Sequence, residues 1–440
     1  PPWVGQRRRQ LMAPPLPMVP CKARAIGLGG AAVGSLVLGA EMQPIEKQRG
    51  GRVLSLRWPP FGWENTTTNQ KLAFAVGRIL GRARDRGGTC WGAFRYRLGA
   101  ANKVTKGKKQ KKLIAGKDFI VHPGSNSYNA KAKVYYLDTL HLKSKSELTK
   151  ILSNLPKKSV LICKSGVTNN KTFYKEITQY YQQNLSNQCV VFLQTKKLTW
   201  GVLPMQFKNC FLDVLEDKFD ATIQKIEIHV EANFVNQYPV NNIVASNRTI
   251  LGNDSCVVVC AHYDHLGKMG QNTTFYGAND NASGVAMLLD LAQKFKGMDT
   301  KYPIVFIAFA GEELGLLGSK FFVDNLEQSF KIKLVINLDM VSAGEKGLTV
   351  ANANHNTTVF DGLNTINTQN NYLPQLVAKN GSANSDHYFF TETGVPAFFM
   401  YTQGGISAYH DVFDQPETLP FTVYENLFKL FVGFNQSLMN

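Results

Sequence analysis

Histidine and acidic residues recur beside the most apolar segments in the C-terminal half of the chain. Each of them follows or ends a strand-like segment, or precedes the start of a helix. The set comprises His262, Asp264, Asp280, Glu312, Glu313, Asp339 and His410. Because the carboxyl ends of strands in an α/β sheet lie at one edge, we expect these side chains to lie close together. Burial gives no reason to place carboxylates there repeatedly, so the pattern predicts a metal-binding site at that edge.

The number and kind of these residues predict two metal ions rather than one. Two histidines and three carboxylates are candidates for direct ligands, which is more than one tetrahedral zinc ion accepts. These ligands are His262, Asp280, Glu313, Asp339 and His410. Two zinc ions that share one carboxylate would accommodate all five, and a bridging hydroxide would balance the remaining positive charge.

Two further acidic residues have predicted roles beside the ligands. Glu312 is the spare carboxylate next to Glu313, and consecutive side chains point in different directions. We therefore expect Glu312 to reach the bridging water as a general base. Asp264 lies two residues after His262 and is predicted to accept a hydrogen bond from the imidazole, which would fix its tautomer.

The elements that must position these residues alternate between apolar strands and amphipathic helices. Strands are predicted at 256–261, 304–310, 333–338 and 397–400. Helices are predicted at 283–295, 314–325 and 421–438. Continuous apolar runs such as CVVVCA are typical of strands buried on both faces. The alternation predicts an α/β fold, a three-layer sandwich with a mostly parallel or mixed central sheet.

The region before the α/β pattern has a different organisation. Strands are predicted at 134–137, 159–163 and 190–194, with a helix at 168–183 that forms one βαβ element. Residues 118–218 contain no residues at catalytic spacing and are predicted to form a small accessory domain. The predicted division is a leader at 1–65, a helix and basic linker at 66–117 that belongs in part to the catalytic domain, the accessory domain at 118–218, and the catalytic domain at 219–440.

The length, composition and charge of the chain limit the classes of protein to which it can belong. The chain has 440 residues, 44% of them hydrophobic, which predicts two domains with at least one large core. Residues 1–117 hold 23 of the 49 Lys and Arg and 4 of the 32 Asp and Glu, a net charge of +19; the other 26 basic and 28 acidic residues leave −2 for the rest. The main body is therefore not predicted to bind nucleic acid.

Targeting and cysteine signals are weaker. The segment near residues 18–40 has a cationic flank, an apolar stretch and small residues, which is typical of a secretory signal and predicts a secreted or periplasmic protein. The alternatives are a disordered or non-native leader. No apolar run reaches the ~18 residues of a membrane span. The seven cysteines are predicted to be small buried hydrophobes, with one disulfide among Cys163, Cys189 and Cys210 as the alternative.

Several motifs resemble those of a known family, the di-zinc exopeptidases related to bacterial leucyl aminopeptidase and glutamate carboxypeptidase II, family 28 of the metallopeptidases. The motifs are HYD, GANDNASG, GEELGLLGS, NLDM, a Ser-Asp-His element at 385–387 and the late YH. The resemblance covers roughly residues 220–440 and implies the zinc exopeptidase fold. It also implies that 118–218 is an inserted protease-associated-like domain, by position and strand content.

Carried over motif by motif, the resemblance assigns the ligands. It implies His262 and Asp339 on one zinc, Glu313 and His410 on the other, and Asp280 between them, followed by a cis peptide bond to the next residue. Some relatives use a tyrosine directly before the last histidine ligand, where Tyr409 stands. Its phenol is predicted to stabilise the gem-diolate oxygen.

The activity implied is that of an aminopeptidase acting on peptides or proteins. One alternative is a glutaminyl cyclase, which needs a single zinc ion. Another is a carboxypeptidase for acidic peptides, which would need basic residues around the site, whereas no arginine follows residue 250. A non-catalytic binding module is a third, but all five ligands are present.

Overall fold

A computed structural model describes residues 109–439 except 143, 185–187, 237, 251–253 and 327–330, together with four short strands before them. Those strands are β1 (Met42–Pro44), β2 (Leu54–Leu56), β3 (Arg95–Arg97) and β4 (Lys103–Lys106). The signal-like segment at 18–40 and the helix predicted within 66–117 lie outside the described residues.

A seven-stranded mixed sheet forms the centre of the C-terminal unit. Its strands are β12 (Ile243–Ser246), β13 (Ser255–His262), β16 (Ile304–Phe309), β17 (Lys331–Leu338), β18 (Gly347–Ala351), β19 (Leu376–Lys379) and β20 (Ala397–Gln403). The order is β12-β16-β13-β17-β20-β18-β19. The four strands from β16 to β20 run parallel, and the antiparallel pairs β12–β16 and β18–β20 flank them. The mixed sheet agrees with the predicted fold class.

Helices cover both faces of this sheet, giving three layers. They are α4 (Ser283–Phe295), α5 (Leu317–Asp324), α6 (Thr357–Asn370), α7 (His387–Glu392) and α8 (Tyr424–Met439). Alternate residues of β13 point to opposite layers: Val257 and Val259 pack with α4, α6 and α8, whereas Cys256 and Val258 pack with α5 and α7. Because β13 is central, both faces of it are buried, and this explains its unbroken apolar run.

The N-terminal unit is built on a second sheet. Its described strands are β3, β4, β5 (Lys109–Lys112), β6 (Phe119–Val121), β7 (Tyr128–Leu137), β8 (Val160–Cys163), β9 (Cys189–Gln194), β10 (Cys210–Leu215) and β11 (Lys225–Asn233). Strands β7 to β10 are parallel neighbours, and β11 pairs with β7. Helices α1 (Lys145–Asn154), α2 (Ser165–Asn169) and α3 (Lys171–Gln183) lie on one face.

The opposite face of the N-terminal sheet receives a hairpin from the C-terminal unit. This hairpin joins β14 (Gly267–Met269) to β15 (Thr273–Phe275). Met269 and Phe275 are buried in the same core as β6 and β11. The Thr273 hydroxyl also donates to the Ala115 carbonyl at 3.0 Å. The two units therefore share one hydrophobic core.

Two predicted helices differ from the observed ones for local reasons. The helix predicted at 168–183 is divided at Asn170, whose side chain accepts hydrogen bonds from the backbone N–H groups of Thr172 and Phe173 and so caps α3. The helix predicted from residue 314 begins at Leu317, because Gly315 and Leu316 have φ angles of 104° and 61°.

The described cysteines are free, and the described helices include no candidate membrane span. Cys163, Cys189 and Cys210 are free and buried, as are Cys256 and Cys260. In the part of the chain that the structure describes, every helix is too short or too polar to cross a membrane.

Candidate metal centre

The carboxyl ends of four parallel strands bring the predicted ligands together. His262 ends β13, Asp339 directly follows β17, and Glu313 lies in the turn after β16. Asp280 lies in the irregular helical turn Ala278–Ala282 before α4, and His410 lies in the loop after β20. All five are buried or largely buried.

Asp280 lies between two groups of side chains. Its Oδ1 is 3.3 Å from His262 Nε2, and its Oδ2 is 3.1 Å from His410 Nε2. On one side His262 Nε2 is 3.5 Å from Asp339 Oδ1, and on the other His410 Nε2 is 3.2 Å from Glu313 Oε2. The geometry is that of two adjacent sites which share one carboxylate.

The donor atoms fit divalent cations. Among the described residues, His262 Nε2 and Asp339 Oδ1 are buried without a hydrogen-bond partner, although they face each other across the site. Two clusters can each surround an ion with atoms within 4.8 Å of one another: His265, Asp280, Glu313 and His410, and His262, Glu312 and Asp339. Imidazole nitrogens with carboxylate oxygens are typical zinc ligands.

The glycines of the GANDNASG segment are required sterically. Gly277 has φ of +64°, and a Cβ there would overlap the His265 ring and the Asp280 carbonyl. A Cβ on Gly284 would overlap the Leu338 carbonyl and the Asn281 side chain. The start of α4 therefore packs directly against the end of β17, which places Asp280 beside Asp339. The Asp280–Asn281 peptide bond is cis, as the resemblance implied.

Comparisons with known proteins point in the same direction. Residues 242–434 match the family model described as Peptidase family M28. These residues form a peptidase family M28 domain. The family resemblance of the motifs is thereby confirmed for this segment.

Two curated relatives match part of the chain. Aminopeptidase YwaD of Bacillus subtilis is 32% identical over 189 residues, which cover 42% of this chain and 38% of YwaD. A probable zinc metalloprotease of Pyrenophora tritici-repentis is 40% identical over 137 residues, 28% of this chain and 29% of that protein. The matched parts thus span well under half the length of these relatives.

A solved structure is similar over most of the chain. BSAP, a zinc aminopeptidase from Bacillus subtilis, superimposes with a TM-score of 0.58 at 19% identity, covering 85% of this chain and 90% of that one. At this identity the likeness concerns the fold, and it agrees with a mixed α/β architecture.

Asp264 of the M28 domain approaches His262 most closely through its backbone carbonyl, and the predicted contact through its carboxylate stays a prediction. His262 Nδ1 lies 3.0 Å from the Asp264 backbone carbonyl but 3.7 Å from its carboxylate, so the carbonyl orients the imidazole. The carboxylate instead accepts hydrogen bonds from the backbone N–H groups of Glu312 and Glu313, at 3.2 and 3.1 Å. Asp264 therefore fixes the turn that carries both glutamates.

Three polar residues that had no predicted function form hydrogen bonds to the candidate ligands of the M28 domain. His265 Nδ1 is 2.8 Å from Glu313 Oε1. The Ser385 hydroxyl donates to Asp339 Oδ2 at 2.9 Å. Asp414 accepts hydrogen bonds from the N–H groups of Asn279 and Asp280, at 2.7 and 3.1 Å. The only signals available were the second histidine of HYDH, the 385–387 element and the second acid after His410.

Tyr409 lies directly on the last ligand. Its ring stacks on the His410 imidazole with centroids 4.0 Å apart and planes 14° from parallel. The side chain is therefore beside the candidate metal centre, and its predicted interaction with the gem-diolate oxygen stays a prediction.

The two adjacent glutamates of the M28 domain differ in acidity. Burial raises the pKa of Glu312 well above its ordinary value, and the charges of Glu313 and Asp339 add to this effect against the opposing charge of His262. Burial would also raise the pKa of Glu313, but His410 lowers it to about 2. Without a metal ion, Glu312 therefore holds a proton to higher pH than its neighbour, a division typical of one acid–base group beside one permanent anion.

The pKa values of the two candidate histidine ligands are raised by the acidic residues around them. Burial would lower the pKa of His262, yet the charge of Glu312 and the nearby carboxylates of Asp264, Asp280 and Asp339 raise it well above its ordinary value. Burial and the charge of Glu313 oppose each other in the same way at His410, whose pKa is also raised. The site thus has strong negative potential, which suits the capture of cations.

Proposed function

We propose that the protein is a zinc-dependent aminopeptidase that releases N-terminal residues from peptides or proteins. The observation that carries the proposal is the pair of adjacent ligand groups sharing Asp280, with Glu312 beside them. Relatives of the M28 domain that are named an aminopeptidase and a probable zinc metalloprotease support the reaction class.

Two zinc ions per chain would fill the site. His262 and Asp339 would hold one, Glu313 and His410 the other, and Asp280 both. When bound, the ions would polarise the scissile carbonyl and lower the pKa of the attacking water. Glu312 also lies near His262 and Asp339, but we assign it to proton transfer, because the other five residues already supply ligands for two ions and leave Glu312 as the spare carboxylate.

Three residues of the chain would then have separate roles in the hydrolysis. Glu312 would take the proton from the attacking water and pass it to the leaving amine, which balances the hydrolysis of the peptide bond. Asp264 accepts a hydrogen bond from the Glu312 backbone N–H, which fixes the position from which the Glu312 side chain extends. The Tyr409 phenol would donate a hydrogen bond to the oxygen on which negative charge develops.

The two alternative activities are less well supported. A single-zinc glutaminyl cyclase would need one ligand group, whereas two groups are present. A carboxypeptidase for acidic peptides would need cations for the substrate carboxylates, and the absence of arginine after residue 250 disfavours it.

Substrates with free and blocked N-termini test the proposal. We expect the full chain, once supplied with zinc, to release the chromophore from an aminoacyl anilide. This substrate has the free N-terminal amine that an aminopeptidase requires. An N-acetylated anilide serves as the matched control and should stay intact. A chelator should abolish turnover and added zinc should restore it, with close to two zinc ions per chain by elemental analysis. Cleavage of the acetylated substrate would contradict exopeptidase action.

We further propose that the N-terminal unit is a protease-associated-like domain and that the protein is secreted or periplasmic. The parallel strands β7 to β10, and their position before the M28 domain, support the first point. The signal-like segment at 18–40 supports the second. Fractionation of cells expressing the full open reading frame tests the location, and enzyme retained wholly in the cytosol would refute it.

A further inference from the structure

The loop that carries His410 is bound to the N-terminal unit through a reciprocal pair of contacts. The backbone N–H of Trp200 donates to the His410 carbonyl at 2.8 Å. In the other direction, His410 Nδ1 is 3.1 Å from the Trp200 carbonyl. A carbonyl can only accept, so the proton of this imidazole lies on Nδ1 and Nε2 is left free to bind a cation.

Lys197 holds the same loop at three points. Its ammonium group donates to the carbonyls of Ser407 and Tyr409, at 2.8 and 3.2 Å, and to Asp411 Oδ2 at 2.9 Å. The Asp411 carboxylate is buried and also accepts from the backbone N–H of Phe413. The Lys197 side chain is 47% exposed, so its charge alone contributes little, and its effect comes from the three directed hydrogen bonds.

Trp200 provides a rigid base for these contacts. Its indole N–H donates to the Val121 carbonyl at 2.8 Å. Its ring packs against Phe275 with centroids 4.5 Å apart, inside the shared core. The Trp200 side chain is thus held both at its indole N–H and at its ring, and a residue anchored in this way can position a candidate ligand on another segment.

His410 also needs external support because of its backbone. Its φ angle is +51°, in the left-handed region that a residue with a Cβ rarely adopts. Such a conformation costs free energy and persists where the surroundings enforce it. The contacts from Lys197 and Trp200 are the enforcing surroundings on the side of the N-terminal unit.

We infer that Lys197 and the Trp200 backbone form a clamp that positions His410, so that the N-terminal unit is a structural part of the metal centre. This inference rests on the proposed two-zinc function and concerns the ion bound by Glu313 and His410. Lys197 is a positioning residue, since it contacts the ligand loop and no ligand atom.

The test compares zinc affinities of Lys197→Gln, Lys197→Arg and a matched control, Lys196→Gln, in the full chain. Lys196 is the adjacent exposed lysine. In competition titrations with a chromogenic chelator, we expect Lys197→Gln to weaken one of the two zinc ions by about 10- to 100-fold, as loss of an outer-shell partner does, and to leave the other within about twofold. Lys197→Arg should restore most of the affinity, and Lys196→Gln should match the unmodified chain.

Other outcomes distinguish a failure of the clamp from a failure of the proposed two-zinc function. If the unmodified chain binds two zinc ions and Lys197→Gln binds both with unchanged affinity, the clamp is refuted and the proposed function stands. Equal weakening of both ions, together with a lower Tm, would show a general loss of stability and also refute the clamp. If the unmodified chain itself binds fewer than two zinc ions, the proposed function fails and the clamp with it.

Discussion

Replacing Glu312 with glutamine is expected to lower kcat by about 10²- to 10⁴-fold, the usual contribution of a general base. The amide has nearly the same size and shape as the carboxylate, but it cannot accept and release a proton at neutral pH. The steady-state rate of aminoacyl-anilide hydrolysis measures the loss. Glu392→Gln is the matched control, since Glu392 is an exposed residue of α7, and it should keep full activity.

The same variant should retain its zinc. Asp264 holds the backbone N–H groups of Glu312 and Glu313, and neither hydrogen bond involves the Glu312 carboxylate. The ligand geometry is therefore expected to survive, with a zinc content equal to that of the unmodified chain. Near-normal turnover in Glu312→Gln would show that another group transfers the proton, whereas loss of one zinc ion would show that Glu312 is itself a ligand.

Replacing Asp280 with asparagine is expected to impair both zinc ions at once. Its two oxygens face the two histidine ligands, at 3.3 and 3.1 Å, so one substitution removes a negative charge from both sites. Loss of an outer-shell partner weakens metal binding by about 10- to 100-fold, and a shared direct ligand should cost at least the upper end of that range for each ion. Competition with a chelator measures the two dissociation constants.

Two measurements distinguish this effect from misfolding. Circular dichroism of the metal-free Asp280→Asn variant should match that of the metal-free unmodified chain. Asp324→Asn is the control: that side chain is 55% exposed at the end of α5, and it should bind zinc normally. A variant that loses one ion and keeps the other at full affinity would contradict the shared position of Asp280.

Much of the C-terminal fold was predictable because its strands are buried on both faces. Central strands such as β13 and β17 form unbroken apolar runs, and α4 was predicted with its observed bounds. Strands β12, β18 and β19 were not predicted. They are short, and β12 and β19 are only partly buried, so none of them produced a strong pattern.

The clustering of the candidate ligands was predictable for a related reason, whereas the residues that contact and orient them were not. Each ligand stands out as a polar residue beside an apolar segment, and this contrast is visible in the sequence. Ser385 and Asp414 act through hydrogen bonds to residues 46 and 134 positions away. The alignment of such distant segments depends on how the elements pack, which the spacing of residues does not encode.

The contact between Lys197 and the His410 loop is an extreme case of the same effect. The ammonium group and the Tyr409 carbonyl are separated by 212 positions. In the sequence, Lys197 is one of two adjacent lysines and is typical of a solvated surface. Its contacts with Ser407, Tyr409 and Asp411 depend on how the two units pack against each other.

The hairpin of β14 and β15 has a practical consequence for any truncation of the chain. It belongs to the M28 domain by sequence, yet it inserts Met269 and Phe275, with the neighbouring Leu266, among side chains of β6 and β11. In a fragment that begins at residue 242, these three residues would be exposed to solvent as an apolar patch, and such patches promote self-association. The smallest well-behaved fragment that contains the candidate metal centre should therefore start upstream of β6 rather than at the border of the family match.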